Sequence, residues 1–588
     1  MNMKYLKTKS NFDKYPTTNI KGYDEQAFAG YDAILKEVKS KCTKEKNIVT
    51  VDCYVGVDQE EILHAFKEAL APTLIIRSDD IFYDSDEIYE RLKKNITEDR
   101  VYGVAYYGTW RDLVDEKKLA TAQAQVKDAQ GNVLILGVAA DYISESDILI
   151  LADMTIWEVQ MRYRNEKMAN FKANNEEEDF IRKFKRGYFI EWRLGNFHKQ
   201  TLYNKFDYYL DTVKHNDPKM ITRVAFENGI QQMLNQPFRT IPFFDEGLWG
   251  GQWMKEVCDV EDKTRINYAW SYNLLFQENE VNISFNDIRI NIPGYTLMQH
   301  SPKQLIGEKG FARFGAEYPI RYDFLDTMEG GNLSLQVHPN TQYMNQKFGM
   351  PFTQDESYYF LDCAPKGAYM YLGLKDGVKK EEMEKDLWAA ARGEKEFPAD
   401  EYSNKIPVKK HDHRHIPAGT IHCSGKDTMV LEISSSPCIF TFKLWDWGRV
   451  GLDGIPRPVH IEHGVNNIQW DKQTDWINDT CAFEPIVITQ DDIHREEKTG
   501  LNYLQYLETR RIWMRGKTYH DTNNETNALN LIEGKEALIE SPDHQFEPFV
   551  IHFAESVCIP ATIKNYTITP YGESENEEVA IMKTYVRF

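Results

Sequence analysis

Residues 333–340, LSLQVHPN, set Gln336 and His338 two apart in a short run that alternates apolar and polar residues. In a strand the side chains at i and i+2 leave the same face, so the amide and the imidazole point toward a common place. Glu356 opens the stretch ESYYFLDC (356–363), and His422 closes HIPAGTIH (415–422). One amide, two imidazoles and one carboxylate make a four-member ligand set suited to a divalent ion such as zinc.

The sequence around these residues reads as β structure. Beyond about residue 240 come short β-prone runs punctuated by Gly, Pro and Asn: NISFNDIRINIPG, GGNLSLQVHPN, YYFLDC, AYMYLGL, RHIPAGTIHCSG, TMVLEIS and IFTFKLWDW. Evenly spaced short strands of this kind predict a barrel or sandwich. A helical pattern over 376–394 interrupts them, and a last strand-rich section runs from about 480 to 588.

The first half has a different texture. NIVTVDCYVG (47–56), TLIIRSDDIFY (73–83), VYGVAYYG (101–108), NVLILGVAA (132–140) and DILILADM (147–154) are continuous apolar runs separated by helical segments. That alternation predicts parallel strands in a doubly wound α/β sheet. From 155 to 215, Arg and Lys interleave with aromatics at helical spacing, which reads as a solvated helical face. The order of elements, the RSDDIFY segment and Met161-Arg162-Tyr163-Arg164 resemble uridine-kinase-type P-loop proteins. The loop itself does not: Asp52-Cys53-Tyr54-Val55-Gly56-Val57-Asp58-Gln59-Glu60 keeps only Gly56, with Gln59 and Glu60 where Lys and Ser or Thr would meet phosphate and magnesium. The unit reads as a degenerate kinase-like domain.

Composition narrows the function classes. Lys plus Arg number 70 against 91 Asp plus Glu in 588 residues, a formal charge of −21 that disfavours nucleic acid and anionic membranes as partners. No apolar run reaches the length of a spanning helix and the start lacks a secretory h-region. Eight scattered cysteines suit a reducing compartment, so the expected location is the cytoplasm and the expected partner a small molecule.

The blocks QVHPN, ESYYFLDC, IPAGTIH and LEI followed by WDWGR resemble, in order and spacing, the signature blocks of class I phosphomannose isomerases. These are cupin-fold enzymes that interconvert mannose 6-phosphate and fructose 6-phosphate. The likeness begins at Phe244-Asp245-Glu246-Gly247-Leu248-Trp249-Gly250-Gly251 and continues through Arg457-Pro458-Val459-His460. It is looser over 480–588, where LIEGKEALIE and VCIPATIKNYTITP resemble a second, metal-free barrel.

The implied layout is an extension (1–45), a degenerate P-loop-like α/β domain (46–215), a linker (216–240), a metal-binding cupin (241–475) and a second cupin (476–588). The resemblance assigns the metal, one zinc ion per chain, to Gln336, His338, Glu356 and His422. At three positions where the family carries cations the chain has Asp323, Gln354 and Lys443, and a nearby family Asp is replaced within Pro437-Cys438-Ile439. Asp323 thus reads as a reversal of sign where an anion would approach.

Lys443, Arg449 and Asp446 are the catalytic candidates, and Arg457, Gln354, Asp323 and Glu432 the substrate-binding ones, with His460 beside them. Tyr358, Tyr359, Trp445 and Trp447 read as core, with a sugar-stacking wall as the other reading. His411, His413 and His415 read as rim or packing residues. The expected activity is a metal-dependent aldose–ketose isomerisation through an enediol. A non-catalytic sugar-binding or sensing protein, and an isomerase of another sugar, are the other readings the residues leave open.

Overall fold

The computed structural model describes residues 9–435, 440–451, 457–500 and 503–588. The chain forms an α/β part followed by β-rich parts. In the first, a seven-stranded sheet has the order Ala27–Ala29, Lys219–Thr222, Tyr208–Asp211, Ile148–Asp153, Asn47–Cys53, Asn132–Gly137, Leu74–Arg77. The last five are parallel, as their continuous apolar runs require when both faces are covered by helices. Two strands of the sheet extend the expected set: Tyr208–Asp211 is a parallel strand the apolar runs did not flag, and Lys219–Thr222 pairs with it antiparallel. Within 216–240, read as a linker, that strand is followed by the helix Arg223–Leu234.

VYGVAYYG (101–108) is not a strand. Its amides go elsewhere: Val104 N–H donates to Asn95 O, Tyr106 N–H to Phe189 O, and Ala105 N–H to Phe348 O in the β-rich half. A segment that divides its hydrogen bonds among three elements cannot also lie in a ladder. The charged stretch after 155 also departs from expectation. Arg162, Lys183, Lys185, Arg186 and Lys199 are buried, and several are paired: Arg162 with Glu158, Arg186 with Glu191, and Lys199 with Asp153 at 3.0 Å. Buried charge persists only when paired in this way.

At the turn after Asn47–Cys53, Asp58 caps the helix Gln59–Leu70 by accepting from the amides of Glu60 and Glu61. A carboxylate therefore holds this helix N-terminus. Gln59 contacts Asp79, and Glu60 pairs with Arg77.

The next part has two antiparallel sheets. One is ordered His413–Ile416, Glu356–Cys363, Thr428–Ser434, Arg321–Asp326, Trp270–Leu274, Phe243–Asp245; the other Ser403–Val408, Ala368–Leu374, His422–Ser424, Leu335–Val337, Phe442–Trp445. They face one another, because Glu356 of the first reaches His338 and His422 of the second. The helix Lys380–Ala391 lies within the expected 376–394 interruption. NISFNDIRINIPG contributes two strands to a separate three-stranded sheet completed by Thr17–Asn19. From Ile486 to Val586 a six-stranded and a four-stranded sheet enclose their own core.

The N-terminal extension is tied in: Phe12 is buried, and Ser10 Oγ donates to Phe553 O at 2.6 Å. Among the described residues no helix is long and apolar enough to cross a membrane.

Candidate metal centre

Cross-strand register does what sequence spacing alone could not. Gln336 lies opposite His422 on one side and Lys443 on the other, so these three side chains share the inner face of their sheet. Across the gap Glu356, Tyr358, Glu432, Ser434, Arg321 and Asp323 share the inner face of the facing sheet, by pairings Tyr358 to Glu432, Glu432 to Asp323, and Glu356 to Ser434.

His338 Nε2 stands 3.1 Å from Glu356 Oε2, and His422 Nε2 stands 2.7 Å from Glu356 Oε1. All three residues are buried, and their ligand atoms lie within 4.8 Å of one another. Each imidazole is fixed from behind: His338 Nδ1 hydrogen-bonds Phe440 O at 2.7 Å, and His422 Nδ1 hydrogen-bonds Thr420 O at 2.9 Å. A backbone carbonyl at Nδ1 makes that nitrogen the donor and leaves the Nε2 lone pair aimed inward, the arrangement typical of metal-binding histidines. Gln336 joins them with its amide nitrogen 3.1 Å from His422 Nε2, while its oxygen accepts from Ser334 Oγ. Turning the amide over presents the oxygen instead.

A divalent cation fits this set. His338 Nε2 and Glu356 Oε1 are buried and make no conventional hydrogen bond among the described residues. Burial works against charge on Glu356, yet the two imidazoles hold its carboxyl well below the usual carboxylate range.

Beside the ligands lies a network the sequence reading missed. Arg321, buried, pairs with Asp323 and with Glu432 Oε1, the latter at 2.5 Å. Gln354 bridges the network to the ligands, its amide donating to Glu356 Oε2 at 2.9 Å and to Glu432 Oε1 at 3.0 Å. Burial, then the charge of Glu356, push the Glu432 carboxyl well up, and burial pushes Asp323 to about 6 despite Arg321. Asp323 is therefore not the lone negative charge the sequence suggested. Arg321, two residues earlier on the same face, neutralises it, and the i, i+2 rule applied to Arg-Tyr-Asp would have found the pair.

Lys443 is half-buried, and its amine makes no ion pair or hydrogen bond among the described residues. Burial, with Arg457 and Arg449 nearby, lowers it to about 8. Asp446, Arg449 and Arg457 form their own cluster at the strand end, with Asp446 held by Arg449 at 2.7 Å and Arg457 at 3.0 Å. No hydrogen bond or ion pair joins those three to Gln336, His338, Glu356 or His422 among the described residues. His460, pushed down to about 3 by burial and by Lys443, donates its backbone N–H to Lys443 O.

The other side chains resolve toward packing. Tyr358 stands edge-on to His422 with ring centres 5.8 Å apart, Tyr359 is buried against His411 and His413, and Trp445 is buried. Trp447 is part-buried beside Tyr371. His413 hydrogen-bonds Thr499 and Ser357, and His415 is fully buried. The replaced family Asp at Pro437-Cys438-Ile439 lies outside the described residues.

Glu278 sits close enough to Arg321 and Asp323 to feel both, and burial first, then Asp323, raise it to about 7. This stands above the ~4.3 of an unfolded glutamate. Stability therefore falls as pH rises through that window and stays low above it. Glu278→Gln is expected to leave the unfolding midpoint unchanged near pH 4.5 and to raise stability by about 2 kcal/mol above pH 7. Equal effects at both pH values in thermal melts would contradict this.

The inward Nε2 atoms, the carboxylate between them and the reversible amide make a candidate divalent-metal site between two antiparallel sheets. The chain is 27% identical over 237 residues to mannose-6-phosphate isomerase ManA of Bacillus subtilis, covering 40% of this chain and 69% of that one. It is 28% identical over 221 residues to a mannose-6-phosphate isomerase of Streptococcus mutans, covering 37% of this chain and 63% of that one, less than two thirds of its length. Among solved structures, the mannose 6-phosphate isomerase from Bacillus subtilis aligns with 60% of this chain and 99% of that chain, at 16% identity and a TM-score of 0.48. Residues 30–235 match a family model described as "Domain of unknown function (DUF8485)". Over about 40% of its length the chain is homologous to mannose-6-phosphate isomerases.

Proposed function

We propose that the chain is a metal-dependent aldose–ketose isomerase, with mannose 6-phosphate and fructose 6-phosphate as its substrate pair. The observation that carries this is the convergence of His338, Glu356 and His422 with both Nδ1 atoms anchored on backbone carbonyls, joined to the curated relatives. His338, Glu356, His422 and Gln336 would hold one zinc ion, which would supply Lewis-acid polarisation of a substrate carbonyl.

The chain's own residues do the rest. Gln354 and the Arg321–Asp323–Glu432 network fix Glu356 in place. Lys443, on the ligand face with an unengaged amine, holds or moves a proton at the substrate. Arg449 and Arg457 orient Asp446 at the mouth of the same strand.

The same reading extends to the layout: an N-terminal extension, a degenerate P-loop-like α/β domain to about 215, a metal-binding cupin over 241–475 and a second, metal-free cupin after it. Supporting this are the five parallel strands with Asn47–Cys53 in the middle and the Asp58 cap that takes the place of a phosphate.

Metal-loaded protein is expected to convert mannose 6-phosphate to fructose 6-phosphate in a coupled assay, and chelator treatment to abolish turnover until zinc is restored. One bound metal per chain without turnover of mannose 6-phosphate, mannose or other sugar phosphates would leave the sugar-binding reading in its place.

A further inference from the structure

Phe440 and Thr441 lie just before the strand Phe442–Trp445, outside the ladder that fixes its register. Yet Phe440 O is the acceptor that orients His338, 2.7 Å from its Nδ1, and Thr441 Oγ1 stands 3.4 Å from the same nitrogen. A carbonyl outside a ladder directs a ligand only as well as its own segment is held. Within the β-rich part, Phe440 packs on Phe348 with ring centres 4.7 Å apart, and its N–H reaches Gln354 Oε1 at a long 3.4 Å.

The α/β part supplies the other side. Tyr102 stacks on the Phe440 ring, with centres 4.9 Å apart and planes 23° apart, and its hydroxyl donates to Thr441 O. Phe189 meets Phe440 edge-on at 6.1 Å. Tyr102 is buried. A stacked ring with a hydrogen bond at its far end fixes both the place and the direction of the contact.

Tyr102 is in turn pinned within its own part. Its N–H donates to Asp99 Oδ1 at 2.7 Å, and its carbonyl accepts from Thr97 Oγ1 at 2.6 Å. Lys185, buried, donates to the carbonyls of Thr97 and Asp99, so this cation ties down the turn that carries Tyr102. The next residues continue the brace, since Ala105 N–H donates to Phe348 O at 2.8 Å.

We infer that the α/β part sets the metal centre through Tyr102, a positioning residue that holds the Phe440 carbonyl and, through it, His338. The inference rests on reading His338, Glu356 and His422 as metal ligands. It gives the segment 101–108 a task that a place in the sheet would not allow: its backbone and rings bridge the two parts of the chain.

The test is the zinc affinity of the full-length protein, measured by competition with a chromophoric chelator. Tyr102→Ala is expected to bind zinc about tenfold more weakly than wild type, the low end of the loss that follows removal of a group behind a ligand. Tyr102→Phe keeps the ring, loses the bond to Thr441 O, and is expected to fall between them. Tyr107→Phe is the control. Tyr107 O–H donates to Gly349 O at 2.6 Å across the same boundary, with no hydrogen bond or ring contact to Phe440 among the described residues, so this variant is expected to match wild type. In cobalt-loaded protein the visible absorption of Tyr102→Phe is expected to shift and that of Tyr107→Phe to stay, a change of ligand geometry that lost stability alone does not produce. Zinc affinity within about twofold of wild type in Tyr102→Ala, or equal losses in Tyr102→Phe and Tyr107→Phe, overturns the inference. If Tyr102→Ala does not fold, the two phenylalanine variants decide, and equal affinities overturn it. A wild type that binds no zinc removes the metal reading as well, whereas equally tight binding by wild type and both Tyr102 variants sinks this inference and spares that reading.

Discussion

Replacing His422 by alanine is expected to take metal content from one zinc per chain to near zero after dialysis, and to reduce isomerase activity by at least a thousandfold. The size of the effect follows from the geometry. His422 Nε2 and His338 Nε2 grip one carboxylate from opposite sides, so deleting one leaves two protein ligands and the buried Gln336 amide to hold the ion. Losing a ligand outright costs more than the 10- to 100-fold typical of losing a group behind a ligand. Thr420 O, which orients His422, cannot be removed by mutation, but Phe440 O orients His338 in the same way. Zinc content measured by atomic spectroscopy and fructose 6-phosphate formation should fall together. Full zinc occupancy in His422→Ala would mean that the metal sits elsewhere.

Arg321→Ala is expected to destabilise the β-rich part by about 3 to 5 kcal/mol, because it strands Asp323 and Glu432 inside the protein without their cation. The loss depends on pH with a definite sign. Burial already raises both carboxyls in the folded protein. Without Arg321 they rise further, so the folded mutant takes up protons that the unfolded chain does not, and its stability falls as pH rises from 5 to 8. Denaturant unfolding at the two pH values measures this. A second variant, Arg321→Met with Asp323→Leu and Glu432→Met, removes the whole network and is expected to recover much of the stability, as apolar replacement of a buried ion cluster often does. If Arg321→Ala unfolds within 1 kcal/mol of wild type at pH 8, the network is not what holds Glu356 in place.

The candidate metal site was legible in the sequence because ligand placement imposes local demands. Gln336-x-His338 is a strand alternation, visible within three residues, and the Pro-Ala-Gly turn before His422 marks a tight return of the chain. The strand-rich second half and the α/β first half were legible from period and punctuation for the same reason. What failed were the readings that depend on a partner far along the chain. VYGVAYYG has the composition of a strand, but its amides meet Asn95, Phe189 and Phe348. The Lys and Arg residues between 155 and 200 have the spacing of a solvated face, yet Lys199 and Arg186 found buried carboxylates.

By itself the sequence pointed to the side chains that could bind a metal and to an α/β first part followed by a strand-rich second part. Only the tertiary structure decided which charges cancel: Arg321 against Asp323 and Glu432, and Asp446 between Arg449 and Arg457. The physical reason is range. Ligand geometry and backbone preference act over a few residues, whereas the net charge of a buried site is the sum over every element packed around it, and no spacing rule records that sum.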